Sequence, residues 1–291
     1  MKIIDWLTKR LNNGHKIDLD EMGISPLTFL GRGTMVALLP NSSLLTSRMK
    51  NGTLIRGRNR AGFGGRGIFM FREAVEPELA LLDLILAPQD NFVDVGSCVG
   101  SYTITAAKTL RQGGVIAIDP NPDSMAILKE TVALNGMDNV MLVCAAVSDK
   151  VGFTQFSIEA ERPDTRHIED TGSTAAADLH RVVPTTTIDH VTHEVDLSGR
   201  IRMMKIDAEG AEDLVLKGGA KTIAKFQPVL ILETAIADIP TLPGYIPHKT
   251  ADSRNTVLVH EDDTEALDAL KTKTTFTPFV QDNSKAQSGA A

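Results

Sequence analysis

The sequence predicts an α/β protein built on a doubly wound, mostly parallel sheet with helices on both faces. Three observations predict it. From Ala74 onward, apolar runs of strand length alternate with helical stripes at regular intervals. A glycine turn, Asp94-Val95-Gly96-Ser97-Cys98-Val99-Gly100, follows the first such strand. An acid, Asp119, closes the second strand, 25 residues beyond Asp94. Strand–helix–strand units of this kind connect through right-handed crossovers, and ligands bind beyond the carboxyl ends of the strands.

The elements follow in order. Pro77 opens a helix whose Leu79, Leu82 and Leu86 fall on one face, and Pro88 closes it. NFVDVG reads as a buried strand, and Val99, Tyr102, Ala106 and Leu110 as a helical stripe ended by Gly113-Gly114. VIAID is the next strand; Met125, Leu128 and Val132 mark a helix stopped at Asn135-Gly136; VMLVCAAV is the third strand. FTQFSI alternates like a half-exposed strand, and the polar stretch from Glu159 to Arg181 reads as a loop. IRMMKID is a strand, Ala211 to Lys217 a helix, PVLILE and NTVLVHE further strands, and TEALDALK a short helix. The stretch from Gln281 to Ala291 is small and polar and is expected to be disordered.

The first 75 residues differ. Their short apolar runs (LTFLG, MVALLP, SLLT), broken by Gly, Pro, Asn and Ser, predict short strands and turns. Between Arg48 and Arg72 stand seven cations and no acid, in a glycine-rich stretch expected to be a flexible, solvated loop. The other reading of these cations is recruitment of an anionic acceptor. The expected organisation is an accessory, acceptor-side segment over 1–73, a cofactor-binding domain over 74–280 and a tail over 281–291.

Composition narrows the function. A net charge of −7 over 291 residues argues against a globally basic nucleic-acid binder. Two cysteines, Cys98 and Cys144, exclude a disulfide framework, and there is no CxxC pair for zinc; Cys144 is expected in the core and Cys98 as a turn residue. No apolar run approaches the roughly 20 residues that span a bilayer, and the opening residues do not read as a secretion signal. A cytoplasmic protein is expected.

The chemistry concentrates at the strand ends. Gly96 and Gly100 allow a tight turn that brings backbone N–H groups near a ligand, and Asp119 is placed to accept hydrogen bonds from a ribose diol. The dinucleotide fingerprint GxGxxG fails, because Cys98 occupies its middle glycine position. Asp94, at the mouth, suits a cationic ligand better than a diphosphate. S-adenosylmethionine carries a ribose diol, an amino group and a sulfonium, so the residues favour it over NAD. At the end of the fourth parallel strand stand Lys205, Asp207 and Glu209, with Glu209 expected to head the next helix and Glu212 in its first turn. Asp207 and Glu209 are candidates to face the transferred methyl group and the acceptor, and Lys205 shares a face with Asp207.

Taken together, FVDVGSCVGSYT, AIDPNP, LNGMDNVMLVCAAVSD, VPTTTIDHV, MMKIDAEGAEDLVLKGG and PVLILE resemble the FkbM-type methyltransferases of the class I S-adenosylmethionine-dependent superfamily. The resemblance runs from about Phe92 to Glu233. It implies a Rossmann-like seven-stranded sheet, to which the first residues add a small α/β appendage. It implies that Asp94, Gly96, Ser97, Cys98, Val99 and Gly100 surround the methionine part of the cofactor. Asp119, with Pro120 and Asn121 beside it, would bind the ribose; Ala146, Val147 and Asp149 would face the adenine; Glu76 would lie near the cofactor's amino end. The chain departs from the family in having Ser97-Cys98 for the usual Ala-Asn, Asp119 for the usual Glu, and only Gly172-Ser173-Thr174 of a common serine-rich patch.

The expected reaction is O-methylation of a hydroxyl on a sugar, glycoconjugate or secondary metabolite, with Asp207 or Glu209 as the acceptor-side carboxylate. The acceptor is a small molecule or glycoconjugate, anionic if the basic segment recruits it; no nucleic-acid partner is expected. A divalent metal is left open, since carboxylates at this strand end hold magnesium in catechol-type relatives, but no metal ligand is assigned. His167, His180, His190 and His193 lack HxxxH spacing and read as surface or acceptor-pocket residues. A nicotinamide-dependent oxidoreductase and a non-catalytic cofactor-binding scaffold stand as alternatives.

Overall fold

The computed structural model of the chain describes residues 19, 22–60, 65–158, 179–195, 197–234, 242–250, 253, 255–271 and 276–278. The expected tail over 281–291, His167 and the Gly172-Ser173-Thr174 remnant lie outside these residues.

The two runs LTFLG and MVALLP, expected as short strands, form one helix, α1 (Pro26–Leu38). Ser25 caps it, its Oγ accepting from the Thr28 N–H at 3.2 Å, and Pro26 occupies the first turn. Phe29, Gly33 and Val36 are buried along one face at helical spacing. Leu39, the residue before Pro40, is extended and ends the helix.

Where it is described, the basic segment forms secondary structure rather than a flexible loop. Strands β1 (Leu44–Arg48) and β2 (Leu54–Arg58) pair antiparallel, and α2 (Gly65–Phe71) leads into a 3₁₀ turn, Arg72–Val75. The glycines work here by permitting contact: a Cβ on Gly57 would lie 2.4 Å from Gly65 Cα and 3.3 Å from Val99 Cγ1. The helix therefore sits directly on the strand, and the strand on the cofactor-turn residue Val99. The hairpin is also tied to the main domain. Asn135 Oδ1 accepts the Leu54 N–H at 2.8 Å and its Nδ2 donates to Leu54 O at 2.7 Å, while Arg56 pairs with Glu130 at 3.1 Å. Met49, Ile55 and Ile68 join the main hydrophobic core.

The main sheet grows from alternating elements. In chain order these are α3 (Leu79–Ile85), β3 (Asn91–Val95), α4 (Ser101–Thr109), β4 (Val115–Ile118), α5 (Pro122–Leu134) and β5 (Val140–Val143). After them come β6 (Ala146–Val147), β7 (Gly152–Ile158), β8 (Leu179–Thr186), α6 (Ile188–Glu194), β9 (Ile201–Ile206), α7 (Glu212–Gly218), α8 (Ala220–Phe226) and β10 (Val229–Leu232). The last are β11 (Tyr245–Thr250), β12 (Thr256–His260), α9 (Thr264–Lys271) and β13 (Phe276–Pro278).

The strand order is β13-β11-β12-β10-β9-β3-β4-β5, with parallel pairing from β10 to β5 and antiparallel pairing around β12. This is the expected doubly wound α/β fold, its seven strands joined by the short β13 at one edge. Alternation along the strands divides the core. Phe92, Ala117, Met203 and Ile231 pack toward α3, α4, α5 and α9, whereas Val93, Ile116, Met204 and Leu230 pack toward α6, α7 and α8.

Three expectations shift. VMLVCAAV is not one strand: its ladder to β4 stops at Val143, and Ala146-Val147 joins β8 and β7 in a separate three-stranded sheet. Cys144, expected in the core, lies in the break between the two and is exposed, because β5 is the outermost strand. The polar insert ends earlier than expected, since residues 179–181 already belong to β8; residues 159–178 lie outside the described set.

Candidate functional site

The carboxyl ends of β3, β4 and β9 bring the candidate residues together. Gly96 and Gly100 have positive φ, +75° and +87°, and Cys98 between them is also left-handed at +47°. The turn is held by Asp119. Its carboxylate is fully buried, with Oδ2 accepting the Cys98 N–H at 2.9 Å and Oδ1 the Asn121 N–H at 2.8 Å. Gly96 is required by proximity as well as by its φ, since a Cβ there would lie 2.0 Å from Asp207 O. The glycine turn and the end of β9 are thus in direct contact.

A chain of ionisable groups runs behind the turn. Lys205 on β9 stands in register with Asp94 on β3. It is buried, its Nζ lies 2.5 Å from Asp207 Oδ2 and 5.5 Å from the Tyr102 ring centroid, and the Tyr102 hydroxyl donates to Glu76 Oε2 at 3.1 Å. Asp94 is buried too, accepting from Thr103 Oγ1 at 2.5 Å. Burial pushes the Asp94 carboxyl up to about 6, against the opposing pull of Lys205 and Thr103. Burial likewise raises Glu76, with Lys205 opposing. Burial works against the charge on Lys205, yet Asp207, Glu76 and Asp94 outweigh it and hold the ammonium above the ordinary lysine range.

The segment after β9 is a structured turn. Glu209 (φ +50°) and Gly210 (φ +95°) are left-handed, and α7 begins only at Glu212. Glu209 therefore precedes the helix instead of heading it. Buried Glu212 explains the turn: its Oε1 accepts the Ala208 N–H at 3.0 Å and the Gly210 N–H at 3.1 Å. This carboxylate closes the Asp207–Gly210 turn, a more specific job than complementing a helix dipole.

Sequence reasoning missed Glu233. The Glu233 N–H donates to Ile206 O at 3.1 Å, extending the β9–β10 ladder by one residue and bringing Glu233 alongside Asp207. Burial, then the neighbouring Asp207, push its carboxyl up to about 8. The signal was present in PVLILE, an acid placed directly after a buried parallel strand.

On the far side of the turn, Ala146 and Val147 are buried strand residues, and Ser148 continues their pairing by donating its N–H to Thr186 O at 2.8 Å. Asp149 is exposed. His190 and His193 are on α6 and line a cavity of about 700 Å³ with Asn91, Ile201, Lys221 and Lys225. That cavity opens at the beginnings of the strands, opposite the glycine turn, so these histidines are separate from the site. Among the described residues no three His, Cys, Asp or Glu side chains are grouped to hold a metal ion, and no helix is long and apolar enough to cross a membrane.

Two buried atoms show what ligand fits. Glu78 Oε1, close enough to Glu76 and Tyr102 to act on both electrostatically, and Asn121 Nδ2, at the end of β4, have no hydrogen-bond partner among the described residues. One is an acceptor suited to an ammonium, the other a donor suited to a ribose or adenine acceptor. Among the described residues there, acids outnumber the buried cation Lys205. S-adenosylmethionine, with its ammonium, sulfonium and nucleoside, matches this set.

A doubly wound sheet of this order, with a glycine turn after its first strand and carboxylates at its mouth, defines a class I methyltransferase domain. The chain belongs to the FkbM methyltransferase family: a family model of the methyltransferase FkbM domain matches residues 94–240. The cofactor of this domain is S-adenosylmethionine. Shorter similarities join it to a ribosomal protein L11 methyltransferase of Rhodopseudomonas palustris, 43% identical over 65 residues, 22% of this chain and 22% of that protein. A probable cobalt-precorrin-6B C(15)-methyltransferase of Halobacterium salinarum is 38% identical over 66 residues, 23% of this chain and 32% of that protein. The matched stretch thus spans a third or less of these relatives. Among solved structures, a methyltransferase FkbM from Methylobacillus flagellatus superposes with a TM-score of 0.41 at 15% identity, covering 67% of this chain and 53% of that one.

Proposed function

We propose that the protein transfers the methyl group of S-adenosylmethionine to a hydroxyl of a sugar, a glycoconjugate or another small secondary metabolite. The observation that carries this reading is the half-buried Asp207 carboxylate, anchored by Lys205 2.5 Å away, at a strand end touching the Gly96 turn. Methyl transfer from a sulfonium is an in-line displacement, and its main requirement is a nucleophile held near ~3 Å from the methyl carbon and aligned with the leaving sulfur. A carboxylate facing a hydroxyl supplies that alignment by accepting its hydrogen bond.

In this reading Glu76, Asp94, Gly96, Ser97, Cys98, Val99 and Gly100 enclose the methionine part of the cofactor. Asp94 and Asp119 act through the loop they hold, since both are buried and already bonded to it or to its helix. Pro120 and Asn121 border the ribose; Ala146, Val147 and Asp149 border the adenine; Asp207 and Glu209 face the acceptor, with Lys205 behind them. The segment 1–73 shapes the acceptor side. Its arginines favour an anionic small molecule, and the net charge of −7 disfavours a polynucleotide. No disulfide joins the two cysteines, which fits a reducing cytoplasm.

The test is incorporation of labelled methyl groups from S-adenosylmethionine into fractionated cell extract, followed by identification of the product. Incorporation into a small hydroxyl compound, lost in Asp207→Asn or Glu209→Gln with cofactor binding intact, is the expected result. Incorporation only into RNA or protein would overturn the acceptor assignment.

A further inference from the structure

We infer that Glu233 is the base that takes the acceptor's proton, a role assigned on the methyl-transfer reading above. β9 and β10 are adjacent and parallel, with Ile206 opposite Leu232, so Asp207 and Glu233 leave neighbouring strand ends on the same rim. As in-register neighbours at the ends of adjacent strands, two carboxyls do not both ionise readily, so the pair favours holding one proton. The pair is asymmetric. Buried Lys205 binds Asp207 at 2.5 Å and stabilises the charge there, which leaves the proton on Glu233.

Glu233 is half-buried at the opening, while Lys205 is enclosed. The groups acting on it are Asp207 and Glu209, which favour its protonated form, and Lys205, which opposes them. Burial adds to the acids, and together they place its titration at about 8. A base with a proton affinity near the working pH is the efficient kind, because it is ionised often enough and still binds the proton it takes.

The step balances as follows. Glu233 first loses its proton to solvent. The acceptor oxygen then forms its bond to the methyl carbon as the carbon–sulfur bond breaks and that electron pair stays on sulfur, neutralising the sulfonium. The hydroxyl proton passes to the Glu233 carboxylate. Asp207 remains ionised, held by Lys205, and its charge keeps the proton affinity of Glu233 high.

The experiment compares wild-type protein, Glu233→Gln and Glu233→Asp. Binding of S-adenosylhomocysteine is measured by calorimetry, and transfer of labelled methyl to the extract fraction that wild type methylates is followed from pH 6 to 9. The expected result is a loss of roughly 10²–10⁴-fold in transfer for Glu233→Gln, partial retention for Glu233→Asp, and cofactor binding within about twofold of wild type, as for a group that acts on a proton alone. The wild-type rate should rise about tenfold per pH unit and level off near pH 8. Transfer that survives in Glu233→Gln, or a flat wild-type profile, overturns the inference alone. A wild-type protein that binds the cofactor but methylates no fraction overturns the methyl-transfer reading and this inference with it.

Discussion

The main-chain N–H of Cys98 donates to Asp119 Oδ2 at 2.9 Å, so the left-handed apex of the glycine turn is held by the acid that ends the neighbouring strand. Replacing Asp119 by Ala removes the carboxylate that accepts from the Cys98 and Asn121 N–H groups. Each lost bond costs roughly 1–3 kcal/mol. Asp119→Ala should therefore lower stability by about 2–6 kcal/mol and weaken S-adenosylhomocysteine binding. Asp119→Asn keeps one acceptor and should lose about half as much. Denaturant titration and calorimetry check both.

Lys205 is the common counter-charge of Asp207, Asp94 and Glu76. Lys205→Met removes it while keeping a similar volume, stranding buried acids. Breaking a buried pair in this way costs about 3–5 kcal/mol. Part of that loss should be recovered at lower pH, where the stranded carboxyls protonate. A variant as stable as wild type at pH 8 would contradict this arrangement.

Asp94 gives cofactor binding a pH dependence. Its folded value, about 6, lies above the ordinary 3.8, so the native state favours its protonated form. Its contribution to stability is complete below pH 3.8 and is lost as the pH rises through about 6. A cationic ligand favours the ionised form, so binding expels a proton at low pH. Affinity for S-adenosylmethionine should fall by up to about tenfold per unit below pH 6, and the fall should be absent in Asp94→Asn. Calorimetry in buffers of different ionisation heat measures the proton directly.

Gly57 and Gly65 meet at 2.4 Å from the position a Cβ would take on Gly57. Gly57→Ala should force β2 and α2 apart at a cost of about 1–3 kcal/mol. It should open the Arg48–Arg72 segment to limited proteolysis, at sites read by mass spectrometry. Because Gly57 also abuts Val99, cofactor affinity should drop in the same variant.

The parallel sheet was legible because its strands are buried on both faces and read as continuous apolar runs such as VIAI and VLIL. The turn at Gly96 was legible because two left-handed positions there demand glycine. α1 was not legible because its Gly and Thr residues break the apolar stripe, which leaves the capping pair Ser25-Pro26 as its clearest signal. The glycines of the basic segment suggested freedom, whereas at Gly57 and Gly65 they permit close packing, and composition alone does not separate the two. The acids were correctly located at strand ends. Which of them turn inward depends on partners distant in sequence, as with Asp119 and Cys98 or Asp207 and Glu233.

Cys144 sits in the break after β5, exposed on the side of the sheet where the nucleoside end of the cofactor is expected, while the other thiol, Cys98, is partly covered within the turn. The protein thus carries a natural handle for a maleimide dye. A fluorophore attached there would signal occupancy as ligands come and go, in real time and with no knowledge of what becomes methylated.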